Sequence, residues 1–255
     1  MKFIFRNIFI ILIYIILYIP IIILVVNSFN LSIFGYKWHG LTLQWYDLLL
    51  KNDSLIDSAI HSLILGSCSS IISTILGTLV AVILYFYEFR FKKFITSMLF
   101  IIIIIPDIVL AISLLLLFVF LKIELGFYSL LIAHITFSLP IVVVIIYTRI
   151  KDFDVKILEA ARDLSASEFI ILKKIILPLL SPSIVSSWLL TMTLSMDDVI
   201  ISSFITGPSY EILPLKIYSM VKIGISPEVN AIAAILLLFS FIFLFISEWI
   251  TKKYI

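Results

Sequence analysis

Two adjacent carboxylates, Asp197 and Asp198, lie in one of the most apolar parts of the sequence, between SSWLLTMTL and IISSFITG. A third, Asp107, follows Pro106 in another apolar stretch. A charge at the centre of a bilayer costs about 2.5–3.5 kcal/mol, so acids in such places are candidates for function. They could hold a cationic solute, satisfy backbone donors at a broken helix, or pair with basic groups of a partner chain.

The composition predicts that these acids lie in a membrane protein. The chain has 255 residues, of which 63% are hydrophobic and 13% charged, whereas soluble domains are about 45–50% apolar and about 25% charged. Cys68 is the single cysteine, so no intramolecular disulfide can form. The sequence predicts no cofactor, no metal site and no nucleic-acid partner.

Six apolar stretches are each long enough to cross a bilayer, which takes about 20 helical residues. They are 8–28, 60–85, 96–120, 129–148, 183–205 and 231–250. The N-terminus, 86–95, 149–182 and the C-terminal tail hold 13 of the 18 Lys and Arg residues. Because basic residues accumulate in cytoplasmic loops, both termini are expected in the cytoplasm. The expected fold is an all-α polytopic membrane protein, with six transmembrane helices in a single domain over 1–255.

The loop 149–182 is expected to be the main cytoplasmic feature. Asp154 can cap a helix, and apolar residues recur after it at helical spacing. Pro178 is expected to interrupt a second helical segment. We therefore predict two short helices at an angle on the cytoplasmic face.

This loop resembles the EAA signature of the permease subunits of ABC importers. Ser165 stands where that family has glycine, and serine disfavours the positive φ that glycine adopts freely. The resemblance implies that the segment couples to a separate ATPase. The matching positions are Glu159, Ala160, Ala161, Ser165, Ile175, Leu177 and Pro178.

The resemblance extends over essentially the whole chain. YIPIIILVVNSFN at 18–30, IPDIVLAISLLLLF at 105–118 and the segment 194–231 are similar to spermidine/putrescine import permeases. This implies a type I ABC importer permease fold in the bacterial cytoplasmic (inner) membrane. It also implies three kinds of partner: a homologous second permease forming a heterodimer, an ATPase dimer and an extracytoplasmic polyamine-binding protein.

A polyamine pathway suits the acids, because desolvated ammonium groups need carboxylates and the methylene stem tolerates aromatic walls. Consecutive helical residues point about 100° apart, so Asp197 and Asp198 cannot both face one cavity. The candidate pathway residues are Asp107, Asp197, Asp198 and Tyr210. Of the two adjacent acids, we expect Asp197 to line the pathway and Asp198 to face the second permease.

Two other functions compete with this interpretation. A stand-alone ion-coupled secondary transporter would use the acids but leaves the EAA resemblance unexplained. An intramembrane aspartyl protease could pair two carboxylates, but Pro-Asp and Met-Asp-Asp do not resemble the motifs of such enzymes. No Gly-x-x-x-x-Gly-Lys-[Ser/Thr] pattern occurs in the sequence, so a partner is expected to hydrolyse ATP.

Overall fold

The computed structural model describes residues 2–32, 37–208, 210–223 and 227–252, with the side chains of the last helix described in part. These residues form eleven helices and no β-sheet. The helices are α1 (Lys2–Asn27), α2 (Gln44–Leu50), α3 (Asp53–Phe86), α4 (Lys92–Ile104), α5 (Asp107–Phe120), α6 (Phe127–Lys151), α7 (Val155–Asp163), α8 (Glu168–Asp197), α9 (Ile200–Ile205), α10 (Leu213–Ile223) and α11 (Pro227–Lys252).

Four described helices, α1, α3, α6 and α8, are long and apolar enough to cross a membrane, and the bent pair α4–α5 makes a fifth crossing if it counts as one span. The all-helical prediction is confirmed. Six crossings and the cytoplasmic position of both termini stay predictions. Of the expected span 231–250, the side chains beyond Leu238 lie largely outside the described residues.

The expected span 96–120 is interrupted at Pro106, where α4 and α5 meet at 115°, a far larger bend than the kink that a proline inside a span predicts. Ile105 and Pro106 between them are both extended, with ψ of 136° and 138°. A residue before proline is driven out of the helical region by the proline ring. Pro106 then starts the next helix, since its carbonyl accepts from Val109 N at 2.9 Å.

The described chain divides into two compact units. In the first, which runs up to Asp57 and resumes at Lys216, α1 and α2 both pack against α11. Asn30 organises the segment between α1 and α2. Its carbonyl accepts from Trp45 Nε1 at 2.7 Å, and its side-chain oxygen accepts from the backbone N–H groups of Ser32 and His39.

The second unit, Ser58–Leu215, contains the long helices α6 and α8 packed against each other. One apolar cluster lies where α7 meets α6 and α8, with Leu158, Ile146 and Ile171 buried in it. A second cluster joins α5 to α6 and α9, around Phe118 and Ile201. The candidate site residues lie between and beside these two clusters.

At Gly77, α3 approaches α6 closely. A Cβ on Gly77 would lie 2.7 Å from Val142 Cβ, an atom that cannot move without its backbone. A Cβ on Gly66, also in α3, would meet the flexible Met192 and Met196 sulfurs at 3.4 Å. Small residues allow such close approach of helices in membranes.

Gly77→Ala should destabilise the protein by about 1–3 kcal/mol, because α3 and α6 must separate to admit the methyl group. The matched Gly66→Ala should change stability by less than about 1 kcal/mol, since thioether side chains can move. Thermal unfolding of the detergent-purified variants measures both. Equal midpoints for the two variants would contradict this packing.

Candidate functional site

The helical structure is interrupted at the two adjacent acids. α8 ends at Asp197, Asp198 is extended with ψ of 118°, and α9 begins at Ile200. The bounds of the expected span 183–205 are therefore wrong at both ends. The helix starts earlier, at Glu168, and stops before residue 205, at Asp197. The expected 100° between the two side chains does not apply, because Asp198 is not helical.

Asp198 caps α9. Its Oδ1 accepts from Ile201 N at 3.1 Å, and its Oδ2 accepts from Ser202 N at 2.8 Å and Ser202 Oγ at 2.6 Å. The first N–H groups of a helix lack partners within it, and a carboxylate both accepts from them and matches the positive end of the helix dipole. This capping accounts for the break at Asp198.

His134 of α6 is fully buried beside this cap. Its Nδ1 lies 2.6 Å from Ser195 Oγ of α8, and its Nε2 lies 3.1 Å from Ser202 Oγ of α9. The same Nε2 is 3.6 Å from Asp198 Oδ2. Ser69 Oγ of α3 donates to Ser195 Oγ at 3.3 Å. One buried polar chain thus links four helices at the break.

Asp197 differs from its neighbour in its surroundings. Its side chain is exposed, whereas the Asp198 side chain is only 10% exposed. Among the described residues, no hydrogen bond or ion pair engages the Asp197 carboxylate. The arrangement leaves this carboxylate able to accept from a solute or a partner chain.

Asp107 is exposed in the first turn of α5, directly after the 115° bend. The carbonyl of Pro106 accepts from Val109 N and Leu110 N. Within the described part of the chain, the Asp107 carboxylate has no hydrogen-bonding partner and forms no ion pair with another residue. The structure gives it no direct contact with Asp197 or Asp198.

Tyr210 lies in the segment between α9 and α10 and is held against α3. Its Oη donates to the His61 carbonyl at 3.1 Å, and its ring stacks on the His61 ring with centroids 4.0 Å apart. The Phe127 ring lies 5.3 Å away on α6. The Tyr210 hydroxyl is therefore engaged with protein, and its half-buried ring forms part of an aromatic group.

The segment that resembles the EAA signature begins with α7. Asp154 caps it by accepting from Lys156 N at 3.0 Å, which confirms the expected helix start. Ala161 is buried in the apolar cluster, whereas Glu159 and Ala160 are exposed on the other side of the helix. The two alanines therefore have different surroundings.

Ser165 ends α7 in the conformation that favours glycine, with φ of 58°. Its N–H donates to the Arg162 carbonyl at 2.8 Å, and Ala166 N donates to the Ala161 carbonyl at 3.1 Å. This pair of hydrogen bonds defines a Schellman turn. The serine therefore does not remove the expected tight turn, although positive φ is unfavourable for a residue with a Cβ.

The second predicted short helix is wrong, because it is the first part of α8. Ser167 caps α8 by accepting from Ile170 N at 3.4 Å, and the helix continues to Asp197. A single π-helical turn occupies Leu172–Ile176, just before Pro178. Proline cannot donate a backbone hydrogen bond, and a wider turn in front of it lets the helix continue with a local change of direction. Ile175 and Leu177 are half-buried, and Pro178 is exposed.

An ion pair spans the turn at Ser165. Arg162 Nε donates to Glu168 Oε1 at 3.0 Å, and this hydrogen bond raises the pKa of the Arg162 guanidinium. The pair borders a cavity of about 360 Å³ that also contacts Phe86 and Phe169. Both charges are exposed, so the pair contributes little stability.

A histidine in a predicted span, such as His134, is expected to be buried and to hydrogen-bond a neighbouring helix, but the sequence did not indicate that His134, Ser195 and Ser202 are polar neighbours of the acids. A signal for Ser202 exists, because an acid followed by polar residues within one turn is typical of a helix N-terminus. Nothing in the sequence indicated that His134 would meet Ser195 and Ser202, which are about sixty residues away along the chain.

Residues 73–255 match a family described as binding-protein-dependent transport system inner membrane component. The spermidine/putrescine transport system permease protein PotC of Escherichia coli is 60% identical over 94% of this chain and 91% of that protein. PotC of Haemophilus influenzae is 52% identical, over 99% of this chain and 98% of that protein. The putrescine transport system permease protein PotI of Escherichia coli is 38% identical, over 87% and 81%.

Solved structures show the same fold at low sequence identity. A chain of a bacterial alginate ABC transporter, in complex with its alginate-bound periplasmic protein, superposes with a TM-score of 0.77 at 12% identity, covering 99% of this chain and 95% of that one. A chain of the MetNI methionine ABC transporter gives a TM-score of 0.66 at 19% identity, covering 81% and 96%.

Ser165→Gly should stabilise the protein by about 1 kcal/mol, because glycine removes the cost of positive φ at the turn. Ser165→Val should destabilise it by at least as much, since a β-branched residue at positive φ is an outlier. Ser167→Gly is the control, as this serine has a φ of −66° and acts as a cap. Thermal midpoints that leave Ser165→Gly below the wild type would contradict the described turn.

Proposed function

Since the chain belongs to the family of binding-protein-dependent transport system inner membrane components, we propose that it is the permease subunit of an ATP-driven importer of spermidine and putrescine. The observation that carries this proposal is the 60% identity over 94% of the chain to a spermidine/putrescine permease. The chain is a multi-pass inner-membrane protein and a transport subunit, not an enzyme. A partner hydrolyses the ATP.

The proposed assembly contains four kinds of part. This chain pairs with a homologous second permease, so that each contributes half of the translocation pathway. An ATPase dimer lies on the cytoplasmic side, and an extracytoplasmic protein delivers the polyamine. The PotC and PotI relatives and the fold shared with ABC transporter chains support this arrangement.

The proposed topology is that of a type I ABC importer permease, with six crossings and both termini in the cytoplasm. The excess of Lys and Arg in alternate segments supports this orientation. The bent pair α4–α5 forms one crossing, and α8 with α9 forms another. The 26-residue α11 provides the sixth.

We place Asp107, Asp197, Asp198 and Tyr210 along the polyamine pathway. Asp197 makes the direct contact in this proposal, because its carboxylate is exposed and not engaged with the described residues. An ammonium group that leaves water loses hydration free energy. Its attraction to a carboxylate offsets this loss only if the carboxylate is already held in the right geometry. The interruption between α8 and α9, where Asp198 caps α9, holds the neighbouring Asp197 in such a fixed position.

The coupling surface in this proposal is the exposed side of α7, with Glu159 and Ala160. The small side chain of Ala160 lets a partner come close, while Ala161 holds α7 to the bundle. Movement of the ATPase would reach the acids through α8, a single helix from Glu168 to Asp197. Ser165, Ile175, Leu177 and Pro178 shape the turn and the π-helical segment that join α7 to α8.

Uptake of radiolabelled putrescine and spermidine into proteoliposomes tests the proposed function. The vesicles contain the second permease, the ATPase and the binding protein, with or without this chain. We expect uptake that requires both ATP and this chain. Uptake driven by an ion gradient in vesicles that contain this chain alone would instead support a secondary transporter.

Asp197→Asn should lower the rate of polyamine uptake at least tenfold while the complex still assembles, because the amide cannot replace a charge opposite an ammonium group. The same change at Asp107 should lower uptake by a smaller factor. Glu124→Gln, outside the proposed pathway, serves as the carboxylate control. Uptake at the wild-type rate by Asp197→Asn would remove this residue from the pathway.

Ala160→Glu should prevent co-purification with the ATPase while the permease stays folded. Ala160 is exposed, so the glutamate does not disturb the fold. In a close interface with the ATPase, the larger charged side chain would not fit. Ala160→Ser is the size-matched control and should keep the interaction. Ala161→Glu should instead destabilise the protein, since it places a charge in the apolar cluster. An Ala160→Glu complex that assembles and transports normally would exclude this coupling surface.

A further inference from the structure

The buried polar chain at the break has a direction. The Asp198 carboxylate accepts two backbone N–H groups and the Ser202 hydroxyl, the last at 2.6 Å. An ionised carboxylate can only accept, so the single hydroxyl proton of Ser202 points to Asp198. Ser202 Oγ then has only lone pairs left for His134 Nε2, 3.1 Å away.

This direction determines the tautomer of His134. With its proton on Nε2, the neutral imidazole donates to Ser202 and its Nδ1 must accept. Ser195 Oγ, 2.6 Å from Nδ1, supplies that proton, and Ser69 Oγ in turn donates to Ser195 Oγ. The donors of Ser195 and His134 therefore point along the chain towards the Asp198 carboxylate, and the chain starts at Ser69, whose single hydroxyl proton is shared between Ser195 Oγ at 3.3 Å and the Gly66 carbonyl at 3.2 Å.

A chain of this kind compensates for a missing basic partner. Hydrogen bonds to a charged group contribute about 1.5–3 kcal/mol each, and a buried polar group left without one costs a similar amount. Among the described residues, no Lys or Arg forms an ion pair with the Asp198 carboxylate, and the basic side chain within 4 Å of it is the imidazole of His134, whose Nε2 lies 3.6 Å from Oδ2. Loss of the imidazole would leave Ser195 and Ser202 without their shared neighbour.

We propose that His134 is a positioning residue for the acid pair: it holds Asp198 as the cap of α9, so that Asp197 alone is presented to the cationic substrate. The part of this inference that concerns the substrate rests on the proposed function. The pairing of His134 with Ser202 and Asp198 does not depend on it. The Asp198 carboxylate accepts hydrogen bonds from protein donors. Asp197, one residue earlier at the end of α8, takes its place from that anchored neighbour.

The uptake assay above tests the transport part with His134→Gln and His134→Leu. Glutamine keeps one acceptor and one donor, whereas leucine keeps the volume and loses both. We expect His134→Leu to lower the uptake rate at least tenfold and His134→Gln to stay within about threefold of the wild type. Thr136→Ala is the control, because Thr136 is half-buried on the same helix and, among the described residues, its hydroxyl donates to the Ile132 carbonyl and does not join the polar chain.

A merely space-filling role would give the opposite order, since leucine fills a buried apolar site at least as well as glutamine. Uptake by His134→Leu at or above the rate of His134→Gln, in complexes that co-purify equally, would overturn the inference. Loss of uptake in Thr136→Ala to the same extent would overturn it as well, because the effect would not be specific to His134.

A thermal-unfolding cycle tests the pairing without any substrate. The shifts in midpoint for His134→Leu and Ser202→Ala should be non-additive in the double variant, because both remove the same chain. The shifts for His134→Leu and Asp197→Asn should add. If the wild-type complex transports no polyamine, the proposed function fails but this cycle still decides the pairing, and additive shifts for His134 and Ser202 would overturn it.

Discussion

The structure around the candidate site depends on one carboxylate that must be satisfied inside an apolar bundle. Asp198 meets this requirement by ending α8, turning extended, and accepting from the first N–H groups of α9 and from Ser202. A continuous helix would have left the acid with neither backbone donors nor a basic partner. The break is thus a consequence of placing this acid here, and it leaves Asp197 at a helix end with an exposed carboxylate.

The break matters for transport because of the helix that leads to it. α8 spans 30 residues, or about 45 Å at the rise of an α-helix, and it begins at the turn that joins it to α7. The π-helical turn before Pro178 changes the helix direction without ending it. In the proposed coupling, motion imposed on α7 crosses the short turn between α7 and α8 and then reaches Asp197 through a single helix. Rocking of such bundles is how many transporters alternate access.

The sequence was sufficient for the class of protein, the start of α7 at Asp154 and the resemblance to importer permeases, because composition, capping residues and spaced motifs are local signals. The sequence was insufficient where the same residue type, proline, was accompanied by different helix geometry. At Pro106 two helices meet at 115°, whereas the helix continues through a π-helical turn just before Pro178. The contact between His134 and Asp198 could not be found from local signals, because His134 reaches the acid across the fold from a different helix.

In the proposed site the two adjacent acids have different tasks: Asp198 binds protein donors and Asp197 binds the cation. A cryo-electron microscopy map of the complete transporter with bound spermidine tests this most directly. We predict an ammonium group within hydrogen-bond distance of the Asp197 carboxylate, while Asp198 still contacts Ser202 and the N–H groups of α9. An ammonium group on Asp198, with Ser202 and His134 displaced from it, would contradict the account.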